Sequence, residues 1–155
     1  MLSPIDNSKR GATGKSPRSN ADEFFFRGLQ HLRGVGGVKK DLATAARLLQ
    51  CAVNLGHSGA SNNLGVMHHK GVGVPLDRSL AMQFWAKAAE RGEAVAMFNL
   101  ANAYYNGGNL RNEDGNGLTE DSEAMERREL EKALLWYSRA AEKGHAPSIC
   151  NLAAM

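Results

Sequence analysis

Cysteine is scarce in this chain of 155 residues: Cys51 and Cys150 stand far apart, outside any CxxC pair and without histidines at ligand spacing. Two such thiols build neither a disulfide framework nor a zinc site. Long apolar runs are missing too. None reaches the roughly 18 residues that a membrane helix needs, so no membrane insertion is expected. Charge of one sign is also absent. The formal net charge is +3 with both signs mixed along the chain, unlike the clustered Lys/Arg footprint of a nucleic-acid binder, and nucleic acid is not an expected partner. No nucleophile–base pair recurs at meaningful spacing. The sequence therefore assigns no catalytic residue, no metal and no cofactor, and its length suits one domain with its own core.

The first twenty residues, "MLSPIDNSKRGATGKSPRSN", hold Ser, Pro, Gly and Asn with four bases against one acid. This composition reads as a disordered tail. A basic, Ser-bearing start also suits an organellar transit peptide, although Leu2 and Ile5 are few apolar residues for an amphipathic helix. The stretch "GATGKS" imitates a phosphate loop, which requires Gly, four residues, then Gly-Lys-Ser/Thr between a strand and a helix. Lys9 stands where the first Gly belongs, and Pro17 follows Ser16 where the helix should open. Nucleotide binding is not expected.

From Ala21 onward the chain repeats itself. "FWAKAAERGE" at 84 to 93 returns as "WYSRAAEKGH" at 136 to 145, and Gly56, Gly92 and Gly144 close equivalent stretches. Gly28, Gly65 and Ala101 each precede a glycine turn by six positions, at Gly34, Gly71 and Gly107. Gly56 and Gly92 are 36 apart whereas Trp85 and Tyr137 are 52 apart, so the third unit carries an insertion. Fixed-period similarity of this length marks a repeat architecture. Each unit reads as two antiparallel helices. The second opens at Asp41 or Asp77, good N-cap residues. It places Ala45, Leu49 and Ala52, then Ala81, Trp85 and Ala88, then Ala133, Tyr137 and Ala140 on one face at i, i+4, i+7. The units run 21–57, 58–93 and 94–145, with the insertion at about 110–128 and a partial fourth unit at 146–155. The stretch "TEDSEAMERREL" within the insertion is expected to extend the following helix N-terminally.

Leu64-Gly65, His68, Gly71, Gly73-Val74, Asp77, Ala81, Trp85 and "KAAERG" at 87 to 92, with Leu100, Tyr104, Gly107, Ala133, Trp136-Tyr137 and "RAAEKG" in the third unit, resemble the Sel-1-like repeat, a relative of the tetratricopeptide repeat. Unit one departs from that pattern with Arg27 for Leu, an extra turn glycine and Leu48-Leu49 for the aromatic pair, as suits a terminal cap. The resemblance covers residues 21–155. It implies an all-α solenoid of antiparallel helix pairs wound as a right-handed superhelix, acting as a scaffold or adaptor without chemistry of its own. A subunit or assembly factor of a large complex is the alternative; a hydrolase is a weaker one. The family's secreted branch staples its helix pairs with disulfides, which these cysteines do not fit. Cytoplasmic and mitochondrial settings stay open.

By analogy with tetratricopeptide domains, a protein or peptide partner would meet the concave face at Asn62, Val66, His69 and Lys70 and at Phe98, Asn102, Tyr105 and Asn106. His68 and His69, as adjacent helix positions, point about 100° apart and do not close on one ion. His57 and His145 occupy equivalent unit boundaries and read as structural. At the C-terminal end, Ile149 and Leu152 fall in the apolar stripe of a first helix that no second helix covers. This end is expected to dock against another chain, to self-associate, or to be the edge of a longer protein.

Overall fold

The computed structural model describes residues 19–107 and 120–155, with backbone alone for 120–123. These residues form α1 (Asn20–Arg33), α2 (Leu42–Asn54), α3 (Ser58–Lys70), α4 (Arg78–Glu90), α5 (Ala94–Tyr105), α6 (Glu120–Glu142) and α7 (Ala146–Ala154), and no strand occurs among them. Helices α1/α2, α3/α4 and α5/α6 pair, and each pair stacks on the next through α2/α3, α4/α5 and α6/α7. The protein is an all-α solenoid. Helix α1 opens slightly before the expected start at residue 21. Ser19 caps it by accepting from the Asp22 N–H while Asp22 reaches back to the Ser19 N–H, a reciprocal capping box. The remainder of the expected tail, with "GATGKS", lies outside the described residues. So do residues 108–119 of the insertion; its end forms the first turns of the 23-residue α6.

The helix ends obey local chemistry. Asp41 and Asp77 accept from the N–H groups of Thr44 and Leu80 at 3.0 and 2.8 Å, satisfying donors that a helix start leaves unpaired. The bond from the Thr44 N–H holds the Asp41 carboxyl below its ordinary range. At the other end of α2, His57 N–H donates to the Ala52 carbonyl and Gly56 N–H to that of Val53. The same pair of bonds recurs from Glu93 and Gly92 to Ala88 and Ala89, and from His145 and Gly144 to Ala140 and Ala141. This is the Schellman closure, which needs a left-handed residue at its centre, supplied by Gly56, Gly92 and Gly144. The turns joining α1 to α2 and α3 to α4 are latched alike, by Asp41 N–H to the His31 carbonyl and Asp77 N–H to the His68 carbonyl, both 2.9 Å. At Gly73 two demands coincide. Its φ is +74°, and a Cβ there would lie 2.6 Å from Leu42 Cβ and 2.8 Å from the Leu42 carbonyl oxygen, so only glycine lets this turn rest on the start of α2.

The small-large-small faces form the core. Ala45, Leu49, Ala52, Ala81, Trp85, Ala88, Ala133, Tyr137 and Ala140 are all buried. Opposite each large residue the first helix presents a small one. A Cβ on Gly28 would sit 3.0 Å from Leu49 Cγ, and one on Gly65 would sit 2.5 Å from Trp85 Nε1, while Ala101 faces Tyr137 in the third unit's cluster. Close helix approach is thus set by residue size at one recurrent position. Leu64 and Leu100 are fully buried beside these contacts, each contributing about 1.5–3 kcal/mol by removal from water.

Candidate binding groove

First helices α3 and α5 lie side by side along the stack, and α4 closes the space between them from one side. The resulting cleft of about 410 Å³ is lined by Val66, His69 and Lys70 of α3, by Arg78, Met82 and Trp85 of α4, and by Asn99, Asn102, Ala103 and Asn106 of α5. A second cleft of about 290 Å³ continues between α5 and α7, where Asn102, Tyr105 and Asn106 meet Tyr137, Asn151, Ala154 and Met155. The two clefts share Asn102 and Asn106 as walls, so adjacent clefts follow one another across three successive units. The walls differ in chemistry from one end to the other: cations and an indole near α4, amides in the middle, and two phenol rings, a further amide, an alanine and a methionine near α7.

Several of these side chains are held by neighbours. Tyr137 O–H donates to Asn102 Oδ1 at 2.5 Å. Burial raises the Tyr137 hydroxyl above its ordinary value, with a hydrogen bond to Asn151 acting the other way. The His69 ring tilts against Trp85 with centroids 5.3 Å apart. Burial in the cleft, and then the charges of Arg78 and Lys70, lower its pKa from 6.5. These influences favour the neutral ring, and Lys70 and Arg78 supply the positive charge of the cleft.

Of the residues expected on this face, Val66, His69, Lys70, Asn102 and Asn106 line the first cleft and Tyr105 joins the second. Asn62 and Phe98, expected on the same face, line neither of these clefts; both are half-buried at the junction with the following unit. Asn62 Oδ1 accepts from Asn99 Nδ2 at 2.9 Å, and its carbonyl accepts from Trp85 Nε1 at 3.3 Å. Phe98 packs on His145 and Tyr137 with centroids 4.9 and 5.9 Å away. Phe25, at the same repeat position, stacks on His57 at 4.0 Å. The two histidines are caps of the following first helix. His57 Nδ1 accepts from the Ala60 N–H at 3.1 Å, and His145 Nδ1 lies 2.9 Å from the Ser148 hydroxyl.

Sequence reasoning missed Asn99, Asn151 and Arg78. The recurrent pairs Asn63-Leu64, Asn99-Leu100 and Asn151-Leu152 carried a signal for the first two; nothing in the pattern marks Arg78. His68 is half-buried, its ring stacked 5.6 Å from that of Phe84. Ile149 is 51 % exposed, although its counterpart Met97 in the preceding unit is 5 % exposed. Leu152 is half-covered by the cluster around Tyr137. Cys51 and Cys150 are both exposed and unbridged. Among the described residues, no helix is long and apolar enough to cross a membrane.

Comparison with known proteins places this geometry in a wider set. The family model for the Sel1 repeat matches residues 26–57, 58–93 and 94–145. The chain is 33% identical over 99 residues to chitin synthase regulatory factor 3 of Schizosaccharomyces pombe, covering 64% of this chain and 11% of that protein. It is 30% identical over 136 residues to chitin synthase regulatory factor 4 of the same organism, covering 73% of this chain and 21% of the relative. The chain thus spans only a small part of the length of either relative. Among solved structures, a Sel1 repeat protein from Oxalobacter formigenes superposes with a TM-score of 0.69 at 29% identity, covering 86% of this chain and 48% of the other. A protective antigen of uropathogenic Escherichia coli with an SLR fold superposes with a TM-score of 0.70 at 24% identity, covering 86% and 25%, a likeness of fold.

Proposed function

Because this chain belongs to the Sel1 repeat family, we propose that it is a non-catalytic scaffold that holds an extended peptide segment of a partner protein in the groove along α3, α5 and α7. The observation that carries this reading is the continuity of the two clefts through Asn102 and Asn106. An extended peptide exposes N–H and C=O groups at regular intervals, and asparagine amides supply both donors and acceptors for them. Helical repeats offer long surfaces of this kind. The names of the relatives describe regulators of an enzyme, which suits an adaptor. The His145–Ser148 pair lies at the start of α7 and its serine is fully buried, so substrate has no access to that hydroxyl.

Selection from a displayed library of short random peptides tests the reading. Tyr105, 55 % exposed, and Asn106, also exposed, are the residues to change, because Asn102 is engaged by Tyr137. Tyr105→Ala and Asn106→Ala are each expected to weaken a selected peptide by roughly 1–2 kcal/mol with the helical circular dichroism unchanged. Failure to select any peptide, or binding indifferent to both substitutions, would refute the groove.

The contrast between Ile149 and Met97 supports a second contact, in which α7 packs against another helical unit as α5 packs against α6. This fits a subunit or assembly factor of a larger complex, and a second copy of the chain is the partner that is simplest to test. Light scattering across a concentration series should show association that Ile149→Asp removes. Thermal stability should barely change, because half of that side chain already faces water. A monomer at every concentration would exclude self-association through α7.

A further inference from the structure

We propose that the peptide taken by this groove is acidic where it passes the α3–α4 turn, seating an Asp or Glu carboxylate between Lys70 and Arg78. The inference rests on the peptide-groove reading above and names the chemical class of the occupant. Lys70 closes α3 and Arg78 opens α4, so the turn between them brings two cations from different helices to one cleft. No carboxylate lines that cleft. Neither cation has a protein partner among the described residues, whose ion pairs are His57–Asp22 and Lys132–Glu129. Two other bases are engaged within the solenoid. Arg91 donates to the Gly56 carbonyl at 3.0 Å, and Arg139 lies over the Trp136 ring at 4.8 Å. Asp77 precedes Arg78, but its carboxylate is turned to the Leu80 N–H as a helix cap.

Local stability does not account for Arg78. A cation in the first turn of a helix opposes the helix dipole, whereas an anion delivered to that place would be favoured by the dipole and by both bases. After burial, the charges of Arg78 and Lys70 both lower the pKa of His69, which lines the same cleft. The far end of the groove, with Tyr105, Ala154 and Met155, holds no base. The occupant is therefore oriented, with its acidic part at α4 and an uncharged part at α7.

The test uses the whole chain and two matched random-peptide libraries, identical except that fixed Asp/Glu positions in one are Asn/Gln in the other. The acidic library should bind about tenfold more tightly at low salt, the order expected of two partly exposed charge pairs, with the margin shrinking as salt is added. Lys70→Gln with Arg78→Gln should abolish the preference, so that the two libraries bind this variant alike. Equal binding of both libraries would overturn the acidic class while the peptide groove stands. A preference that survives the double substitution would also overturn it, by placing the carboxylate elsewhere. Binding of neither library would overturn both readings.

Discussion

Tyr137→Ala is expected to destabilise the chain by about 3–5 kcal/mol, the range for deleting a buried aromatic ring. Tyr137 is 1 % exposed and is the largest of the fully buried side chains. It packs with Ala101 and Ala133 and carries Phe98, Trp136 and Leu152 around it. Its removal empties the junction between the third helix pair and α7. Tyr137→Phe keeps the ring and removes only the hydroxyl bonded to Asn102, so it should cost about 1 kcal/mol. The damage should also be local. Helix α7 packs on α6, and units of a solenoid are stabilised chiefly by their neighbours. Amide exchange in 146–154 should therefore accelerate in Tyr137→Ala beyond the change seen in α1 and α2. Urea denaturation giving a loss below about 1 kcal/mol for Tyr137→Ala, or uniform acceleration along the chain, would contradict this account of the junction.

Gly65→Ala should cost about 2–3 kcal/mol despite adding a good helix former in the middle of α3. Intrinsic propensity favours alanine there by about 1 kcal/mol. Against this, the new methyl carbon would stand 2.5 Å from Nε1 and 2.6 Å from Cδ1 of the Trp85 ring, itself 4 % exposed and held by a bond to the Asn62 carbonyl. Overpacking of a tight core outweighs the propensity gain. The third unit shows the compatible combination, Ala101 opposite Tyr137. Trp85→Tyr added to Gly65→Ala should therefore recover part of the loss, so that the double variant is more stable than the sum of the two single effects. Strict additivity would mean that the ring is not what the methyl meets.

These two contacts mark how far spacing alone reaches. The paired positions of Gly65 with Trp85 and Ala101 with Tyr137 were legible as a recurrent small residue in the first helix and a large residue in the second. The aspartate caps, the glycine closures at Gly56, Gly92 and Gly144 and the N-terminal extension of α6 were legible for a related reason. Caps depend on residues a few positions apart, and the i, i+4, i+7 faces follow from the helical pitch itself.

The groove was only partly legible, because it belongs to no single helix. Val66, His69, Lys70, Asn102, Tyr105 and Asn106, expected from one-helix geometry to meet a partner, line its walls. Phe98 and Asn99 are neighbours in sequence, yet Phe98 packs on His145 while Asn99 reaches the cleft. One residue turns a helix by about 100°, and the boundary between junction and groove is drawn by how α5 settles against α3 and α7. Arg78 lies on the second helix of its pair, and it reaches the same cleft as Lys70 only once the α3–α4 turn is folded. The sequence by itself determined the helices, their ends, the repeat and the small-against-large core, since each is a matter of local bonding or of periodicity along one chain. Only the tertiary structure decided which polar residues share a cleft, that Lys70 and Arg78 line the same one, and that Leu152 is half-covered while Ile149 is half-exposed, because those outcomes depend on the relative rotation of packed helices.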